Sequence, residues 1–83
     1  MSENTSQKVK IIIAKECGVN VKTIKSDTQF MCGQKLSYFD CMNALYSLQH
    51  KFRVVLPESD YYKYKTVGNL IKSIISQQKH MKK

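Results

Sequence analysis

The sequence predicts an all-α fold, an irregular four-helix bundle with a long first loop and a short third helix. Three observations carry this. Apolar residues recur at helical spacing in three segments, beginning near Val9, Phe39 and Val67. Residues 19 to 37 have no sustained period and separate the first two segments. Pro57 ends the second segment and leaves room for one short helix before the last.

The first helix is marked by Val9, Ile12, Ile13 and Cys17, at i, i+3, i+4 and i+8. Thr5 or Ser6 is expected to cap its start, and Gly18 to take the left-handed position past its end. Ile11 falls off the stripe and should be partly exposed. The following loop is longer than compact domains usually hold unless its own apolar residues pin it. Val21, Ile24 and Phe30 are the candidate pins. Val21 to Ile24 has room for one helical turn, and Ser26-Asp27-Thr28 reads as a turn.

The second helix begins after Ser37 and ends near Phe52. Phe39, Met42, Leu45, Tyr46, Leu48 and Phe52 give it a wide apolar face. Ser37 and Asp40 fit a capping box with aspartate in place of the usual glutamate. The β-branched run from Arg53 to Leu56 is extended, and Pro57 stops it continuing as helix. The short third helix lies around residues 59 to 64, capped by Ser59 or Asp60. Thr66 caps the last helix, whose apolar stripe is Val67, Leu70, Ile71, Ile74 and Ile75. Gly68 weakens its first turn by up to about 1 kcal/mol relative to alanine.

The 83 residues form one domain, with a core expected over roughly residues 6 to 77 and tails at 1 to 5 and 78 to 83. No apolar run approaches the roughly 18 residues a membrane helix requires. The first residues have neither the basic nor the apolar region of a signal peptide, so a cytoplasmic location is expected. Three cysteines (Cys17, Cys32, Cys41) without C-x-x-C spacing point to free thiols, and His50 and His80 make no metal-ligand pair with them. Cys41, following Asp40, is expected near the exposed side of its helix, where a thiol would be reactive. Met31, Met42, Cys32 and Cys41 are expected to cluster around the second helix and the turn before it. There is no Ser-His-Asp arrangement, no paired carboxylates at catalytic spacing and no phosphate-binding glycine loop, so the chain is not expected to be an enzyme.

Fourteen Lys+Arg against six Asp+Glu give a net charge of +8, which favours anionic partners. Tyr61-Tyr62-Lys63-Tyr64-Lys65 interleaves aromatic and basic residues as single-strand binders do. No nucleic-acid-binding motif accompanies it, so tyrosines packed on the bundle with solvated lysines are the expected reading.

Several dispersed landmarks together resemble the acyl carrier proteins, over roughly residues 6 to 77. Val9-Lys10-x-Ile12-Ile13 with Gly18-Val19 is similar to that family's first helix and its glycine end. Asp27-Thr28-Gln29-Phe30 resembles its loop phenylalanine, and Asp40 the aspartate after its serine-leucine pair. Leu48-x-x-x-Phe52 with Leu56-Pro57-Glu58 resembles the end of its second helix and the turn beyond. Tyr64-Lys65-Thr66-Val67 resembles the entry to its last helix. The order and spacing are kept without insertion or deletion. The resemblance implies the bundle fold, a non-enzymatic carrier role, and protein partners such as a synthase, an acyltransferase or another carrier-pathway enzyme.

It also implies a phosphopantetheine arm on a serine at the start of the second helix, within an Asp-Ser-Leu triplet. This chain reads Ser37-Tyr38-Phe39 there. With the register set by Asp40 and Phe52, Tyr38 occupies the serine position. The chemistry needs a small exposed alcohol at a helix N-terminus, where free N–H groups and the helix dipole favour a phosphate. A phenol projects farther and is a different nucleophile. Ser37 is one residue early, about 100° round the helix, and its expected role is the N-cap. If an arm is attached at all, Ser37 is the candidate.

The family's second helix is usually acidic. Here it carries one carboxylate, Asp40, with Asn43, Gln49, His50 and Lys51 elsewhere on its polar side, so a partner should be acidic or apolar. Tyr38, Phe39, Asp40, Met42, Tyr61 and Tyr62 are the candidate partner-binding residues. The expected function is therefore protein interaction within an acyl or peptidyl carrier pathway. The alternatives are a true carrier modified at Ser37, or a small basic adaptor for nucleic acid or an anionic surface.

Overall fold

The computed structural model describes residues 5–31 and 36–81. Three α-helices, α1 (Thr5–Cys17), α2 (Tyr38–Phe52) and α3 (Val67–Met81), are joined by segments holding two 3-10 turns, Val21–Thr23 and Glu58–Lys63. The fold is the expected all-α bundle, with the second 3-10 turn in place of a short third α-helix. Among the described residues no helix is long and apolar enough to cross a membrane, and no cluster of three metal-ligating side chains occurs.

One core serves the whole bundle. Val9 and Ile13 of α1, Leu45 and Leu48 of α2, and Leu70 and Ile74 of α3 are fully buried and meet there. Burying such a side chain stabilises by about 1.5–3 kcal/mol, and Phe30, Leu56 and Val67 are fully buried as well. Ile11 is exposed, as its place off the α1 stripe requires. Gly18 closes α1 at φ +68, a left-handed conformation that favours glycine.

Thr5 does not sit before the helix as a cap. It lies inside α1, and its hydroxyl donates to Gln78 Oε1 at 3.1 Å. α3 accordingly runs past residue 77, to Met81, rather than fraying there.

The long loop is held by backbone as well as by its apolar pins. Ile24 and Phe30 are buried, and Val21 packs against the core. Beside them, Gly68 N donates to Ser26 O (2.8 Å), Val67 N to Thr28 O (2.9 Å) and Phe30 N to Lys65 O (2.8 Å). The loop thus lies along the entry to α3 in one antiparallel bridge, Gln29 with Thr66. A Cβ on Gly68 would lie 3.1 Å from the Ser26 carbonyl oxygen. The glycine that weakens the first turn of α3 is what lets the loop come this close.

Thr66 caps α3 reciprocally with Asn69. Asn69 N donates to Thr66 Oγ1 and Thr66 N to Asn69 Oδ1, each at 3.2 Å. The second 3-10 turn begins at Glu58 after Pro57 and has no side-chain cap, so Ser59 and Asp60 do not play that part. The extended segment before it is fastened by side-chain amides. Gln77 bonds both the N–H and the C=O of Val55, and Leu56 N donates to Gln49 Oε1 at 3.0 Å.

Candidate functional site

The site is built at the N-terminus of α2. Ser37 is extended (φ −66, ψ 150), the geometry of a cap residue, and its Oγ accepts the Asp40 N–H at 3.1 Å. Its carbonyl accepts the Cys41 N–H at 2.9 Å, the first bond of the helix. Asp40 stands in the first turn, where a carboxylate meets the positive end of the helix dipole. Leu36, just before, is buried and anchors the cap to the core.

Tyr38 is 53% exposed and Phe39 71% exposed, both beside the cap. Tyr38 lines a cavity of about 390 Å³ whose other walls are Phe30, Met31, Tyr61, Tyr62, Tyr64 and Lys65. The structure therefore brings Tyr38 together with the tyrosines of the second 3-10 turn. Tyr61 is itself buried, so it walls the cavity and is not a surface residue. Tyr62 is exposed, with the Lys63 ammonium 5.9 Å from its ring centroid. Lys63 Nζ also pairs with Asp60 Oδ1 at 3.5 Å. Tyr61 and Tyr64 stack in a tilted pair, 6.3 Å between centroids. Burial pushes the Tyr61 phenol above its ordinary pKa, so it stays neutral.

Two expectations about α2 need correction. Phe39 and Tyr46 were assigned to the buried face, yet Tyr46 is 57% exposed and Phe39 more so. The face that packs inward is Cys41, Ala44, Leu45 and Leu48, at i, i+3, i+4 and i+7. Cys41, expected near the surface, has 0% exposure. Its Sγ accepts the Met31 N–H at 3.4 Å and lies 4.0 Å from Leu36 O, so the loop before α2 closes over it. Met31 takes a left-handed φ of 67 to make that approach. Met42 is half-buried against the same core, and Cys32 lies outside the described residues.

Cys17 is half-buried near the far end of α1, and burial, with Cys41 and Asp40 adding to it, pushes its thiol up to about 11. It is a poor nucleophile at neutral pH. Sequence reasoning missed Lys65 and Tyr64 as cavity walls. Their signal was adjacency to Thr66, whose capping role fixes where the chain enters α3.

No protein-family model matches the chain. It is similar to the acyl carrier protein of Chlamydia trachomatis serovar D (strain UW-3/Cx), 31% identical over 70 residues, which cover 84% of this chain and 91% of that protein. The acyl carrier proteins of serovar A (strain HAR-13) and serovar L2 (strain 434/Bu) match with the same identity and coverage.

Proposed function

Because the chain belongs to the acyl carrier protein family, we propose that it is a non-enzymatic carrier-fold module that docks on an enzyme of an acyl or peptidyl carrier pathway without conventional phosphopantetheine attachment. The observation that carries this reading is the pair of hydroxyls at the start of α2. The primary alcohol, Ser37, is engaged as the N-cap, with Asp40 N donating to it at 3.1 Å. The next residue, at the family's serine position, offers a phenol. These residues do not fit a phosphopantetheine ester as the family pattern places it.

What remains is a recognition surface. Tyr38 and Tyr62 expose large aromatic area at one cavity, with Phe39 exposed next to Tyr38 in the chain, and exposed apolar clusters of this kind mark interaction sites. Asp40 and Met42 border them on α2. A cytoplasmic setting agrees with such a partner. The competing reading, a true carrier modified at Ser37, rests on the exposure of that residue.

Intact mass separates the two. The protein is incubated with coenzyme A and a broad-specificity phosphopantetheinyl transferase. No mass gain is expected. A gain of one phosphopantetheine that disappears in Ser37→Ala makes the chain a carrier.

A further inference from the structure

We propose that the cavity beside the start of α2 binds a small free ligand, a planar aromatic ring system bearing one anionic group such as a carboxylate. Such a site stands apart from the docking reading above, since a small molecule can occupy the cavity whether or not a protein docks beside it.

The walls set the shape of the ligand. Five of the seven residues that line the cavity of about 390 Å³ are aromatic. Phe30, Tyr61 and Tyr64 are buried and form its floor, while Tyr38 and Tyr62 are exposed and form its rim. Aromatic faces and edges attract a second ring in offset or edge-to-face contact, a gain that a straight alkyl chain does not receive. The volume lies at the low end for ligand pockets, which suits roughly two or three rings.

The floor is in place before any ligand arrives. Phe30 N donates to Lys65 O at 2.8 Å and Tyr64 N to Tyr61 O at 3.0 Å, so backbone bonds tie its parts together. The Tyr61 and Tyr64 rings are set 44° apart. A ligand entering a formed site is spared the cost of ordering it.

Charge decides the second feature. Among the described residues that line the cavity, Lys65 is the cation and no carboxylate is present. The neighbouring Lys63 is paired with Asp60. An anionic group on the ring system meets Lys65, and a cationic one would face like charge there. Lys65 is exposed, so screening keeps its contribution modest and the rings supply most of the affinity. Four of the chain's five tyrosines line this cavity and there is no tryptophan, so tyrosine emission reports on its occupancy.

The test titrates the full chain with two dyes of the same rings, anionic anilinonaphthalene sulfonate and neutral phenylnaphthylamine. Naphthoate and decanoate then compete with the sulfonate dye, one carboxylate carrying rings and the other a chain. The sulfonate dye should bind one to one, quench tyrosine emission, and bind about three- to fivefold tighter than the neutral dye at low salt, a margin that fades as salt rises. Naphthoate should displace it and shift the amides of residues 30, 31 and 61 to 65 in the ¹⁵N-labelled chain, and decanoate should displace it far less well. Lys65→Gln should abolish the margin between the dyes, and Tyr62→Ala should weaken both. Both side chains are exposed, so these variants keep the fold, and the competition in the wild type needs neither of them. Displacement by decanoate as strong as by naphthoate assigns the cavity to alkyl chains and overturns the proposal. Equal affinity for the two dyes, or a margin that survives Lys65→Gln, overturns the anionic feature. Binding indifferent to Tyr62→Ala, or naphthoate shifts that miss the cavity, overturns the site, and none of these results bears on docking to a partner enzyme.

Discussion

The Ser37 hydroxyl oxygen accepts the backbone N–H of Asp40 at 3.1 Å, three residues into α2. It satisfies one of the donors that a helix N-terminus leaves open. Replacing such a cap by alanine costs about 1 kcal/mol. Ser37→Ala should lower the unfolding free energy by about that much in urea without changing the m-value, and Ser37→Asp, which still accepts the bond and adds favourable charge, should retain wild-type stability. A Ser37→Ala variant as stable as the wild type would remove the cap as the reason for serine here.

Tyr38 stands next to that cap with half its surface in water. Tyr38→Ser should change stability by no more than about 0.5 kcal/mol, the usual range for surface positions. A fall of several degrees in Tm would mean that Tyr38 fills the cavity rather than lining its mouth.

Gly68 and Ser26 make the opposite kind of contact, one with no spare room. The Gly68 N–H donates to the Ser26 carbonyl at 2.8 Å, and an added methyl would sit 3.1 Å from the same oxygen. Alanine favours a helix interior by up to about 1 kcal/mol over glycine. Here the carbonyl would have to retreat, stretching the bond that fastens the loop. Gly68→Ala should therefore be destabilising by about 1 kcal/mol, measured by denaturation, and Gly68→Val more so. A stabilised alanine variant would show that the loop yields easily.

At high pH the half-buried Cys17 thiol and the buried Tyr61 phenol should weaken the fold. Burial raises the Cys17 thiol from 9.0 to about 11 and raises the Tyr61 phenol above 10.0. For each, the folded state holds its proton more tightly than the unfolded one. That contribution is complete below pH 9 and is lost as pH climbs through the folded values, so Tm should fall between pH 9 and 11. Cys17→Ser should flatten part of that decline. In a Cys32→Ser background at pH 7.5, Cys41 should resist alkylation until the chain unfolds and Cys17 should react slowly; rapid native labelling of Cys41 would contradict its burial.

The sequence made the bundle legible because its elements announce themselves locally. Val9 with Ile13, Ser37 before Tyr38, Pro57, and Thr66 mark starts, stops and faces through spacing and capping alone. The rotation of α2 was not legible. Phe39 and Tyr46 are more apolar than Cys41 and Ala44, so a reading by hydrophobicity turns the helix toward them. The core instead takes the small residues, and Cys41 lies under Met31 and Leu36 of the closing loop. That choice depends on where a loop of no periodicity returns, which no local pattern encodes. The amide of Gln77 clasping Val55 was hidden for the same reason, since the two are 22 residues apart. Of the site, the displaced serine and the tyrosine beside it were plain in the residues, and the cavity that joins Tyr38 to Tyr62 needed the fold.

Whether the start of α2 carries an arm is tested most directly by intact mass after incubation with coenzyme A and a phosphopantetheinyl transferase. The mass should stay that of the unmodified chain, in wild type and in Ser37→Ala alike. One added phosphopantetheine in the wild type that is lost in Ser37→Ala would contradict it and make Ser37 an attachment site.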